Sequence, residues 1–262
     1  MEHATGDEAG TGERHSHRRY WEIDALRGCA ILMMITYHFL FDLSFFHIAD
    51  ITVHTGFWRY FAYATAGSFV FLVGLSLTIS NARRDTNRNP APYRKYALRG
   101  GGIFLLGMGI TAVTLVYPGE GYVLFGILHL IGVSIAIAPL FFGFRRLNLL
   151  AGAALFAASY AIRGIEGPLW LAWIGIHPAS FVSLDYEPLI PWFGVVLIGM
   201  YAGATLYPGG LRRMPFAGDM PAAASPFAFL GRHSLAIYLV HQPLLIAGLL
   251  IAGYLTGMQV AV

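Results

Sequence analysis

Four ionisable residues share one face of the first apolar run in this 262-residue chain: Asp24, Arg27, His38 and Asp42. At 100° per residue they fall within an arc of about 60°, and the rise from Asp24 to Asp42 is about 27 Å, close to the hydrocarbon thickness of a bilayer. A charge at mid-bilayer costs roughly 2.5–3.5 kcal/mol on insertion scales, so this stripe must face protein or water rather than lipid. His38 and Asp42 are i,i+4 neighbours, which lets a carboxylate reach the imidazole, fix its tautomer and stabilise its protonated form. That pairing suits a general base; the alternative is a buried structural network. Arg27 stands at the inner end, able to extend toward cytoplasmic water.

Two further histidines lie in apolar runs. His129 sits in Gly126-Ile-Leu-His129-Leu-Ile-Gly132, and His241 shares a helical face with Ser234 and Tyr238 at i, i+4, i+7. Three such histidines on three helices suggest a common polar cavity, against the reading that each merely satisfies a neighbour. Asp185 and Glu187 precede Trp192 in an outer segment. They either bind a cationic acceptor at the outer mouth or are ordinary solvated residues ahead of a proline-defined helix start. The single Cys29 lies about 140° from Asp24 on the first helix and excludes an intrachain disulfide. The ten histidines show no zinc-type spacing, and no glycine motif cradles phosphate, so no metal is expected.

Helices in a membrane must position these groups. The chain is 56% hydrophobic and 12% charged, where soluble domains carry roughly 25% charged residues. Mean hydropathy is +0.60. Residues 1–19 are polar and read as a disordered cytoplasmic tail; 20–262 form one transmembrane domain. Apolar runs near 25–46, 57–80, 97–116, 122–143, 147–162, 188–207 and 229–255 predict an all-α, polytopic bundle of about seven transmembrane helices. Residues 163–187, with Trp170 and Trp173, fit an interfacial loop better than an eighth span. Placing the N-terminus in the cytoplasm puts fifteen of the seventeen cations inside and leaves only Arg59 and Arg163 outside. The expected location is the cell membrane, multi-pass. Gly199 and Gly203 make a small-xxx-small pair, read as a helix-packing contact.

The ordered set of motifs resembles a known family. Glu22-Ile-Asp24-Ala-Leu-Arg27-Gly28 with His38 and Asp42, then Phe69-Val-Phe-Leu-Val-Gly74-Leu-Ser76, is similar to the heparan-alpha-glucosaminide N-acetyltransferase catalytic domain in its short prokaryotic form. So are Gly126-Ile-Leu-His129, Asp185-Tyr-Glu-Pro-Leu-Ile-Pro-Trp192 and Gly231-Arg-His-Ser-Leu-Ala-Ile-Tyr238-Leu-Val-His241-Gln, a match over roughly residues 20–250. The spacing of Arg27 and His38 also resembles the Arg-x10-His motif of membrane acyltransferase-3 enzymes. The resemblance implies transfer of an acetyl group from cytoplasmic acetyl-CoA to a sugar amine or hydroxyl on the far side. His38 would be base or acyl carrier with Asp42 beside it, and Arg27 and Arg232 would hold the donor's phosphates. Asp24, His129, Asp185, Ser234, Tyr238 and His241 would line the cavity. In the lysosomal enzyme that names the family, the active histidine lies just beyond the first span, where His47 and His54 stand here as alternatives. A proton-coupled transporter or flippase is the competing class, since His/Asp stripes also relay protons. A third reading is a non-catalytic membrane subunit whose stripe binds a partner helix. Lipid, acyl-CoA and a glycan acceptor are the expected partners, nucleic acid is not, and a homo-oligomer is left open.

Overall fold

A computed structural model describes residues 19–86, 92–213 and 219–257. The tail before residue 19 and the 87–91 connection lie outside the described residues. Eight α-helices carry the chain: α1 Trp21–Phe45, α2 Gly56–Thr86, α3 Tyr93–Val116, α4 Ile127–Ile137, α5 Arg145–Ala161, α6 Leu189–Leu206, α7 Ser225–Arg232 and α8 Ser234–Thr256. Among the described residues there are no strands, so the fold is an all-α bundle.

Six stretches are long and apolar enough to cross a membrane, and one of them, Ile127–Ala161, is 35 residues long. At 1.5 Å per residue that would be about 52 Å, too long for a single crossing. It is interrupted by a 3-10 segment, Ala138–Phe144, and by a non-helical Arg145 at φ 14°. Its two arms run in opposite directions. Gly100 of α3 lies against Gly132 and Ala136, and Gly107 against His129, so α4 is antiparallel to α3. In the other arm Gly152 meets Gly194, and Arg145 reaches the carbonyl of Ala204, so α5 is antiparallel to α6. Counted as one passage each, the two arms bring the six stretches to the seven crossings expected.

Close packing rests on glycine where helix backbones touch. A Cβ on Gly74 would overlap the Val196 carbonyl, and one on Gly199 the Phe71 carbonyl; Gly203 sits on Leu75. The Gly199/Gly203 pair is thus a packing contact, and α2 runs parallel to α6. Val70, Leu130, Val196, Leu197 and Met200 fill the core between α2, α4 and α6, each at most 1% exposed.

The last apolar run is not one helix. It breaks at His233, and α7 runs back along α1, with Gly28 against Phe227 and Gly231 against Asp24. There a Cβ on either glycine would overlap the facing carbonyl. After the turn, α8 runs parallel to α1. Residues 163–187 hold only a 3-10 turn, Leu169–Ile174, with Trp170 exposed, as expected of an interfacial loop rather than an eighth span.

These directions gather the starts of α1, α3, α5 and α8 with the ends of α2 and α6 at one end of the bundle. Glu22 ties that end together by accepting from the Tyr207 hydroxyl (2.9 Å) and from Arg212 (2.7 Å). Among the described cations, only Arg59 and Arg163 belong to the opposite end.

Candidate functional site

A cavity of about 540 Å³ opens among the cationic ends of α1, α2, α3 and the α7–α8 turn. Arg19, Arg27, Arg83, Arg84, Arg99 and Arg232 line it, against one carboxylate, Asp24. Arg27 donates to Asp24 at 2.9 Å and to the Ser76 hydroxyl at 3.1 Å, so Asp24 holds the guanidinium in place at the cavity wall. Deeper in, the wall turns apolar: Phe69, Val73, Ile103, Leu128 and Ile131. Ser234 and Tyr238 line it from α8. A polyanion with an uncharged arm fits these two zones, cations outside and apolar wall within. The arginines of the α2 and α3 ends were not singled out in the sequence, because loop cations look like topology signals rather than a site.

Beyond Tyr238 stands a pair of histidines. The Tyr238 and His241 rings have centroids 5.6 Å apart, and His241 packs edge-on to His38 at 4.8 Å. His241 Nε2 lies 3.3 Å from His38 Nδ1. Backbone carbonyls fix both tautomers. His241 Nδ1 is 2.6 Å from the Tyr238 oxygen, and His38 Nδ1 is 3.0 Å from the Met34 oxygen. A carbonyl only accepts, so each Nδ1 carries the proton. The His38 N–H is then shared between Met34 and the lone pair of His241 Nε2, and His38 Nε2 keeps its own lone pair.

This corrects the expected pairing of His38 with Asp42. Asp42 is buried at 2% exposure and accepts from Gln242 Nε2 at 2.6 Å. Its other oxygen, Oδ2, is buried without a hydrogen-bond partner. Two helices running in parallel bring His241 and Gln242 level with His38 and Asp42, and the interhelical contacts win over the i,i+4 one. The four residues of the α1 stripe do face protein.

The common cavity of three histidines is also corrected. His129 is the third residue of α4, where its Nδ1 accepts the Gly126 N–H at 3.2 Å, and its Nε2 lies 3.4 Å from the Thr111 hydroxyl. It sits between Phe104 and Phe125 against Gly107. The run 122–143 concealed this role, since the helix begins only at Ile127 and its first N–H groups need acceptors. His47 and His54 are exposed in the α1–α2 connection; His47 takes a positive φ of 54°, and His54 packs on Phe41. Neither joins the histidine pair.

The loop before α6 closes the other side. Asp185 Oδ2 accepts the Ile127 N–H at 3.0 Å, at the positive end of α4. Burial pushes its carboxyl up to about 6, with that hydrogen bond pulling the other way. Burial, and then the neighbouring Asp185, hold Glu187 well above the usual carboxylate range. Tyr186, which donates to the Ala172 carbonyl at 2.7 Å, is pushed by burial up to about 12. Ile127 is also part of the cavity wall, so the acids and the cavity lie on two sides of one peptide.

A family model described as "Heparan-alpha-glucosaminide N-acetyltransferase, catalytic" matches residues 19–243. The chain belongs to that family. Membership makes it a membrane acetyltransferase at family level. Searches of curated proteins and of solved structures returned no match. The family match ends at Pro243, two residues past His241, and so takes in every group of the site just described. Among the described residues no cluster of His, Cys, Asp and Glu could hold a metal ion.

Proposed function

We propose that this chain transfers an acetyl group from acetyl-CoA, bound at the cationic end, to an amine or hydroxyl of a sugar that enters from the opposite end. The observation that carries this reading is the arginine-lined cavity whose inner wall ends on Tyr238, next to the His241–His38 pair. Arg27, Arg99 and Arg232 would meet the donor's phosphates, and the apolar wall would receive the uncharged arm and keep water from the thioester. His38 Nε2, with its lone pair free, would take the proton from the acceptor's N–H or O–H as nitrogen or oxygen bonds to the carbonyl carbon. The C–S bond breaks, and the proton passes from the imidazolium to the departing thiolate. His241 stabilises the imidazolium by accepting its Nδ1–H, the part first expected of Asp42. The same lone pair could attack the thioester itself and carry the acetyl group.

Two measurements test the reading. Purified protein in liposomes should consume acetyl-CoA presented to its cationic end when glucosamine is present on the other side; no thioester loss with any amino sugar would sink it. Orientation follows from the charge asymmetry, which puts the cationic end in the cytoplasm. In a Cys29→Ala background, membrane-impermeant reagent added outside intact cells should label Glu166→Cys and spare Lys95→Cys. The reverse pattern would invert the protein and both substrate sides with it.

A further inference from the structure

We propose that Glu187 is the acceptor-binding residue, its buried Oε2 receiving a hydrogen bond from the amine or hydroxyl that is to be acylated. The assignment rests on the transferase reading above and adds to it the residue that holds the second substrate.

Oε2 of Glu187 is shut off from solvent and has no hydrogen-bond partner. A carboxylate oxygen in that state costs several kcal/mol unless something that donates fills the gap. Neighbouring groups are already engaged: the Glu187 N–H donates to the Phe125 carbonyl at 2.9 Å, and Asp185 Oδ2 accepts the Ile127 N–H. Two helices come within electrostatic range of this carboxyl. Tyr238 of α8 is within electrostatic range of both Asp185 and Glu187, and Tyr37 of α1 within range of Glu187. Tyr37 adjoins His38, with ring centroids 5.9 Å apart. Glu187 thus sits at the meeting of the residues that flank the histidine pair, on the side away from the arginines. A neutral packing residue would serve the fold as well there; an acid without a partner serves a ligand that brings N–H or O–H groups. An ammonium group suits it best, because a cation repays the cost of ionising a carboxyl that burial and the neighbouring Asp185 hold above the usual carboxylate range. The arginines line the cavity on the other side, so phosphates are drawn there and find no cation beside Glu187.

The test uses the full chain in liposomes, acetyl-CoA as donor and glucosamine as the probe acceptor. Glu187→Gln should raise the KM for glucosamine by about ten- to a hundredfold, the range for losing a charged hydrogen bond. Its affinity for CoA should stay at the wild-type value, and Glu187→Asp should recover part of the loss. A structural role alone would lower the yield of folded protein or the CoA affinity without moving the glucosamine KM separately. An unchanged KM in Glu187→Gln overturns the assignment and leaves the transferase reading standing. The second arm needs no turnover. Dicyclohexylcarbodiimide, which modifies buried protonated carboxyls, should label Glu187, read by mass spectrometry of its peptide, and glucosamine should slow the labelling. Protection without any thioester consumption would keep this site and remove the transferase reading. Equal labelling with and without glucosamine, or no labelling, would overturn the site.

Discussion

His38→Ala should lower acetyl transfer by roughly 10²–10⁴, the usual contribution of a positioned acid–base group, while CoA affinity stays as in the wild type. Along α1, Arg27 and His38 are about 16 Å apart, so the cationic cavity mouth does not feel the truncation. His241→Ala should also slow transfer, because it removes the acceptor of the His38 Nδ1–H. Its loss should be the smaller one, since Met34 still holds the tautomer. The double variant should be no worse than His38→Ala alone, as expected of two groups that act as a unit. Asp42→Asn, by contrast, touches Gln242 and not the imidazole, so its effect on turnover should be the least of the four. If Asp42→Asn matched His38→Ala while His241→Ala stayed active, the pairing first suggested by the sequence would be the working one. Full activity in His38→Ala, with loss in His47→Ala or His54→Ala, would move the chemistry to the α1–α2 connection.

The sequence made much of this legible for a physical reason. An apolar environment makes every charge expensive, so ionisable residues inside long apolar runs mark either buried contacts or a site, and Asp24, Arg27, His38, Asp42 and His241 all proved to face protein. Helical periodicity could say which residues share a face, but not what stands opposite. Asp42 therefore looked like the partner of His38, when the parallel approach of α8 gives that place to His241 and gives Asp42 to Gln242. Gln242 was passed over because an amide beside a histidine carries no spacing signal of its own. His129 misled for a different reason. Apolar runs extend past helix ends, and only Gly126 hinted that the helix starts there and needs a side chain to satisfy its first N–H groups. The break at His233 was likewise hidden in a continuous apolar run, although the paired glycines 28 and 231 are what lets α7 lie so close on α1.

Arg27→Gln should weaken CoA binding by about 1.5–3 kcal/mol, the scale of one charge-assisted hydrogen bond, or roughly ten- to 150-fold in Kd. Arg27 is the arginine of choice among the six because two fixed contacts, Asp24 and Ser76, hold its side chain at the cavity wall before any ligand arrives. Preorganisation of that kind means little rotamer entropy is lost on binding, whereas exposed Arg99 and Arg232 must be ordered first. Each of those two should therefore cost less when changed to Gln. The variant leaves Asp24 buried and without its ion-pair partner, so a loss of affinity alone would not separate ligand binding from local disorder. Asp24→Asn separates them. Removing the one carboxylate in the cavity lining raises its positive potential, so phosphate binding should hold or tighten, and it should tighten more at low salt. A purely structural Asp24–Arg27 bridge predicts the opposite, with both single variants losing CoA alike and salt making no difference. Isothermal titration of the detergent-solubilised protein with CoA, at two ionic strengths, reads both outcomes. Equal affinity in wild type and Arg27→Gln, with the protein folded, would remove the arginine cavity from the donor site.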